Sequence, residues 1–139
     1  MTLQVELVVP EGEIWAGPAQ MVIAKTLDGD IGVLTGHTPV LGILAEGSVV
    51  RIMPEEGANE RGEIIAAVGG GFFSVADDRV SVLARQAQLG HEVDRQAARA
   101  ALDDALQDAG ASDQGDEEST DVRYFRALLR AAGDSADRP

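Results

Sequence analysis

An all-β sandwich or barrel followed by two α-helices is the fold class this sequence predicts, on three observations. Apolar and polar residues alternate in short runs through the first 86 residues. Turns bearing Gly, Pro and Asp separate those runs. After Gly90 the apolar spacing changes from two residues to three and four, the period of a helix face. Many short strands joined by Gly-rich turns belong to sandwiches and barrels, not to layered α/β folds.

The first strand, Thr2 to Val9, places Leu3, Val5, Leu7 and Val9 on one face and Thr2, Gln4 and Glu6 on the other; Pro10 and Gly12 end it. Further strands are predicted at Glu13–Trp15, Ala19–Thr26, Ile31–Leu34, Ser48–Met53, Glu63–Val68, Phe72–Ala76 and Arg79–Ala84. Turns are predicted at Gly17-Pro18, Asp28-Gly29, Pro54 to Gly62 and Asp77-Asp78. The run Gly69-Gly70-Gly71 reads as a turn or bulge that uses glycine's tolerance of positive φ, with close approach of another backbone or a ligand as the alternative.

In the helical part, Val93, Ala97, Ala98, Ala101, Leu102, Ala105, Leu106 and Ala109 share one face, Asp94 caps the start and Gly110 is the expected stop. Residues 111–121 are polar and acidic and read as a linker. Asp121 is expected to cap a shorter second helix, with Val122, Phe125, Leu129 and Ala132 on its apolar face and Arg123, Arg126 and Arg130 on another. The predicted domains are therefore 1–88 (β) and 89–139 (two helices). Helices this short are marginal alone in water, so their apolar faces need a partner.

The 139 residues carry a net charge of −13, with twelve acids against five bases in 1–89 and twelve against six in 90–139. Nucleic acid and anionic membrane surfaces are poor partners for such a chain, because binding there depends on Lys and Arg. A basic protein surface is a better one. Without cysteine there is no disulfide, thiolate chemistry or Cys-based zinc site. No apolar stretch approaches the length of a membrane span, and no charged segment plus apolar run opens the chain, so neither membrane insertion nor a signal peptide is expected. The only histidines, His37 and His91, form no metal-ligand or acid–base spacing. The glycines around residue 30 lack the Gly-Lys-Ser/Thr of a phosphate loop, and no serine sits in a nucleophile elbow. The residues point away from an enzyme.

Two stretches carry a resemblance. Gly29-Asp30-Ile31-Gly32-Val33-Leu34-Thr35-Gly36-His37-Thr38-Pro39-Val40-Leu41 resembles a signature of ATP synthase epsilon subunits. Val68-Gly69-Gly70-Gly71-Phe72-Phe73-Ser74-Val75, followed by Arg79-Val80-Ser81-Val82-Leu83-Ala84, is similar to that family's second signature, and the opening Leu3 to Pro10 also fits. The likeness covers residues 1–90; the helical part matches in layout more than in residues.

The resemblance implies a ten-stranded β-sandwich, a two-helix C-terminal domain and a rotor subunit with no active site. It implies a place on the cytoplasmic face of the cell membrane, as a peripheral part of the synthase. The implied partners are the gamma subunit, the polar loops of the c-ring and, through the helices, the catalytic alpha and beta subunits. Asp30, Gly32, His37 and Pro39 are the candidates for ring or gamma docking. Arg123, Arg126 and Arg130 are the candidates to meet the beta subunit when the helices extend and obstruct ATP hydrolysis. Some members of the family bind ATP on the folded helices; here Val93-Asp94-Arg95-Gln96-Ala97-Ala98 has alanine where that motif has arginine. Asp94, Arg123 and Arg126 remain the ATP candidates, no other cofactor is implied, and an ATP-sensing module of the same fold is the alternative function. An unrelated β-sandwich enzyme or ligand-binding domain is the third, for which a deep apolar pocket with converging titratable groups would speak.

Overall fold

The computed structural model describes residues 2–55, 62–111 and 119–133. Nine strands lie among them, against the ten implied: β1 (Leu3–Val9), β2 (Gly12–Thr26), β3 (Gly29–Val33), β4 (Val40–Ile43), β5 (Ser48–Pro54), β6 (Ile64–Val68), β7 (Gly71–Ala76), β8 (Arg79–Ala84) and β9 (Ala87–Leu89). Hydrogen bonding runs in the order β4-β7-β8-β1-β2-β5-β6-β9, with β3 also on β2. The 15-residue β2 belongs to both layers. Its first half pairs with β1; from Ala19 onward it pairs with β5 and then β3. One layer is thus β4-β7-β8-β1-β2 and the other β3-β2-β5-β6-β9. β1 runs parallel to β8, and the remaining pairs are antiparallel. Between the layers Leu3, Leu7, Val50, Ile52, Phe73 and Val80 are buried, as alternation requires.

Gly17-Pro18 is not the turn its composition suggests. Both residues lie inside β2, opposite Val5 and Gln4. Proline lacks a ladder donor, and it sits where β2 leaves one partner strand; the register shift to the next follows between Ala19 and Met21. A Cβ at Gly17 would stand 3.2 Å from the Trp15 ring, so the missing side chain makes room for the indole. By contrast, Asp77-Asp78 is a turn as expected. Both residues have positive φ, 52° and 61°, which is type I′ geometry suited to the twist of a hairpin.

Two helices follow, α1 (Arg95–Ala111) and α2 (Thr120–Ala131). Asp94 caps α1 as expected, its Oδ1 accepting from the Ala97 N–H at 3.1 Å. Gly110 lies within α1 instead of ending it, and Thr120 and Asp121 are already helical, so both ends of the expected linker are helix. Residues 112–118 of that linker lie outside the described residues. Ser119, not Asp121, is the N-cap of α2: its hydroxyl accepts from the Val122 N–H at 3.1 Å. Asp121 sits in the first turn, where a negative charge favours the helix dipole. Gly133, at φ 85°, ends the helix in the left-handed region.

α2 is sandwiched. It buries Val122, Tyr124, Ala127, Leu128, Leu129 and Ala131, with Ile65 and Ala67 of β6 on one side and Ala98 and Leu102 of α1 on the other. A single apolar face through Val122, Phe125, Leu129 and Ala132 understated this, because one-face reasoning assumes one partner. In α1 the buried stripe narrows to Ala98 and Leu102, while Leu106 is exposed.

Candidate functional site

The sandwich has two outer faces, and they differ. The β5/β6 face is covered by α2. The opposite face carries a row of apolar side chains across four strands. Ile43 of β4 is paired with Phe72 of β7, Phe72 with Leu83 of β8, and Leu83 with Val8 of β1, so all four stand on one side of the sheet. Leu41 adjoins the row two residues from Ile43, and Leu27 approaches through its N–H, bonded to the Ile43 carbonyl at 3.0 Å. Leu41 is 74% exposed, Leu27 68%, Ile43 60% and Phe72 46%; single exposed apolar residues are ordinary, but a continuous row is a docking feature. The neighbouring row, Ser74, Ser81 and Glu6, is polar, and the Ser81 hydroxyl donates to Glu6 at 2.8 Å. Val8, Leu41, Phe72 and Leu83 lie in the stretches that carry the resemblance, but no feature of the sequence showed that they meet in one row. The strand pattern places Phe72 only in the predicted strand Phe72–Ala76 and predicts no strand at β4 (Val40–Ile43).

The predicted docking residues fall into two places. Asp30 and Gly32 are exposed on β3, where Asp30 is paired with Lys25 of β2. His37 and Pro39 are on the connection from β3 to β4, which leads into the apolar row. The Gly36 N–H donates to Asp78 Oδ1 at 2.7 Å, and the Asp78 carbonyl accepts from the Gln4 N–H at 2.8 Å. The type I′ turn therefore anchors the His37 loop to the body. His37 itself is turned on its own loop, Nδ1 lying 2.7 Å from the Thr38 carbonyl oxygen.

On the covered face, a cleft of about 480 Å³ opens between β2, β3, β5 and the C-terminal end of α2. Lys25, Asp30, Glu46, Arg51 and Arg130 line it. Arg51 is engaged by Glu63 at 2.6 Å, and Glu46 by Arg85. Arg130 donates from Nη2 to the Gly47 carbonyl at 3.0 Å. Of the three helix arginines, Arg123 and Arg130 are exposed and Arg126 is half-buried, and Arg130 is also tied to the β body through Gly47. Of the ATP candidates, Asp94 has one oxygen engaged at the α1 cap, and the cleft includes none of Asp94, Arg123 and Arg126.

Burial raises the pKa of the Tyr124 phenol above its ordinary 10.0. The folded state favours the neutral phenol, so its contribution is fully present below pH 10.0 and is lost as pH rises through the shifted value. Tyr124 is the only tyrosine, so phenolate absorbance in an alkaline titration reports it directly. The expected midpoint lies above 10.0 in the native chain and returns to 10.0 in urea; a native midpoint at or below that value would contradict the burial of α2.

Residues 2–90 match the family described as ATP synthase, Delta/Epsilon chain, beta-sandwich domain. The ATP synthase epsilon chain of Thermobifida fusca is 54% identical over 132 residues, covering 94% of this chain and 91% of that one. That of Streptomyces griseus is 48% identical over 128 residues, covering 92% and 97%. Among solved structures, a chain of the Euglena gracilis mitochondrial ATP synthase (OSCP/F1/c-ring) superposes with a TM-score of 0.75 at 22% identity, over 94% of this chain and 81% of that one. A chain from the central stalk and c-ring of the Tetrahymena thermophila mitochondrial ATP synthase gives 0.54 at 18% identity, over 99% and 94%. At these identities the two structures show a shared fold.

Proposed function

The chain belongs to the ATP synthase epsilon-chain family, and from that premise we infer that it works as a non-catalytic rotor subunit, holding the central stalk to the membrane ring. The apolar row Ile43–Phe72–Leu83–Val8, exposed at Ile43 and Phe72 and half-buried at Leu83 and Val8, is the observation that carries this reading. A subunit clamped to a shaft needs a rigid face that loses water on docking, and apolar burial is the main source of such affinity. The proposed occupant of the row is the gamma subunit. Asp30 and Gly32, exposed on β3, are the proposed contacts to the polar loops of the c-ring, where a carboxylate on an acidic protein would set orientation more than affinity. His37 and Pro39 are assigned to the rim of the gamma site, because their loop runs into β4.

The proposed division of labour is docking by residues 1–88 and regulation by 89–139. Extended helices reaching the alpha and beta subunits would restrain ATP hydrolysis, with Arg123, Arg126 and Arg130 meeting the beta subunit. The whole complex would place the chain at the cytoplasmic face of the cell membrane, held there by its partners.

Co-purification with gamma tests the reading. The full chain and a version ending at Glu92 are both expected to retain gamma, and neither is expected to turn over ATP alone. A chain that leaves gamma behind, or that hydrolyses ATP by itself, would overturn it. Titration of the isolated chain with ATP decides the sensor alternative: saturation well below about millimolar, a binding free energy stronger than roughly −4 kcal/mol, would favour it.

A further inference from the structure

The sheet face that carries the apolar row holds two further rows of cross-strand partners. Leu41, Ser74, Ser81, Glu6 and Ala16 follow one another across β4, β7, β8, β1 and β2, and Ala76, Arg79, Gln4 and Pro18 do so beyond them. Successive rows are two residues apart, about 7 Å along each strand. The face therefore runs from apolar, through hydroxyl and carboxylate, to guanidinium. At the β2 edge, where Ala16 and Gly17 are small, a groove of about 180 Å³ opens beside Gln4, Glu6, Arg79 and Ser81. Glu6 and Arg79 are diagonal neighbours on β1 and β8, within reach for long side chains of opposite charge. On the other face, Arg51 stands in a comparable diagonal relation to Glu63, two residues before its partner Ile65, and that pair closes at 2.6 Å. Glu6 and Arg79 do not close. The Glu6 carboxylate accepts from the Ser81 hydroxyl at 2.8 Å, and the exposed Arg79 guanidinium makes no ion pair or hydrogen bond among the described residues.

We propose that Glu6 and Arg79 are a charge couple, kept open by Ser81, that sets the register and orientation of the subunit seated on the apolar row, which the docking reading above takes to be gamma. The partner presents a base or an amide to Glu6 and a carboxylate to Arg79. A row of aliphatic and aromatic side chains holds a partner without directing it, because apolar burial is non-directional. Two opposite charges in fixed places do direct it. A partner turned end for end would set its carboxylate against Glu6 and its base against Arg79, leaving both repelled and partly desolvated. Ser81 is the positioning residue: its hydroxyl holds Glu6 in place without neutralising it, whereas a closed Glu6–Arg79 pair would have to break before docking. Distance from the row assigns the two charges different roles. An interface of standard size covers about 800 Å² on each partner, roughly 28 Å across. Centred on the apolar row, it buries Glu6, about 7 Å away, and reaches Arg79, about 14 Å away, only at its rim. Glu6 then slows dissociation, and Arg79 steers association.

Binding kinetics of the full chain on immobilised, purified gamma, at low and at physiological salt, test the couple. Glu6→Arg/Arg79→Glu keeps the composition and net charge and inverts the two charges. That exchange is expected to weaken binding about tenfold or more at low salt, with the deficit shrinking as salt rises. Singly, Glu6→Gln is expected to speed dissociation about tenfold, and Arg79→Ala to slow association about threefold and flatten its salt dependence. Ser81→Ala is expected to weaken binding in the wild-type chain and to add nothing beside Glu6→Gln, which a merely structural role for the hydroxyl would not produce. An exchanged chain that binds as wild type at both salts overturns the couple and leaves the apolar row standing. A wild-type chain that fails to bind gamma overturns the docking reading and the couple together. If the exchange lowers the melting temperature, the two single variants decide, since neither adds a charge: the split between dissociation and association upholds the couple, and wild-type rates for both overturn it.

Discussion

Replacing Ile43 and Phe72 together by aspartate is expected to abolish capture of the gamma subunit while leaving the chain folded. The two side chains are cross-strand partners and the two exposed members of the apolar row, flanked by exposed Leu41 and Leu27. Their loss costs the isolated protein on the order of 1–2 kcal/mol, because two carboxylates would face each other across the β4–β7 pair and aspartate is a poor strand former, and a domain of this size stays folded after a loss of that order. Docking is a different matter. Central apolar anchors of an interface contribute about 2 kcal/mol or more each, and a carboxylate buried against an apolar partner adds a desolvation penalty. The combined loss is on the order of 4 kcal/mol, roughly a thousandfold in dissociation constant. Titration calorimetry or surface capture with purified gamma reads the affinity; a thermal melt reads the fold. Retained affinity with an unchanged melt would remove this face from the docking mechanism. Asp30→Ala is the contrast, because an exposed charge at a rim alters association rate and salt dependence more than affinity.

Gly71→Ala is expected to be the most damaging methyl in the molecule. At φ +119° the residue lies in a region that L side chains rarely adopt. The new Cβ would stand 2.0 Å from the Leu83 carbonyl oxygen and 2.8 Å from the Ala84 Cα. Neither atom can yield without moving β8, which is paired with both β7 and β1. Backbone strain and overpacking act together, and a loss of about 3 kcal/mol or more is expected. For a domain of this size that lowers the melting temperature by more than 10 °C, roughly. Gly32→Ala is the internal comparison: no atom lies within 4 Å of its Cβ position, and its φ is outside the left-handed region. That variant should melt within a degree or two of wild type, roughly. Equal melts for the two would contradict the close packing of Gly71 on β8.

The Gly69-Gly70-Gly71 run shows how far a sequence can be read. Composition suggested either a turn or a close approach, and both descriptions apply. Gly70 has φ +77°, while the opposed groups are Gln86 at Gly69, Arg85 and Glu46 at Gly70, and the β8 backbone at Gly71. A one-dimensional pattern contains no information on which neighbour lies opposite, so it could not separate Gly71, which meets main chain, from Gly32, which meets nothing. The same gap hid the docking row. Ile43, Phe72, Leu83 and Val8 are spread over 76 residues of chain and become neighbours only through strand pairing.

Local chemistry was legible wherever it was self-contained. Alternation placed Leu3, Val5 and Leu7 in the core; Asp77-Asp78 marked a hairpin; Asp94 marked a helix start; and the change of period after Gly90 marked where strands end and helices begin. Those features depend on residues within a turn or a strand of one another, and the backbone obeys such short-range rules whatever surrounds it. Tertiary structure alone decided that Gly17-Pro18 continues a strand shared by two layers, that α2 is buried on two sides, and that one outer face is covered while the other is left apolar and open. Each of those outcomes depends on a partner remote in the chain, and burial is a property of pairs of surfaces, not of the residues that make up either one.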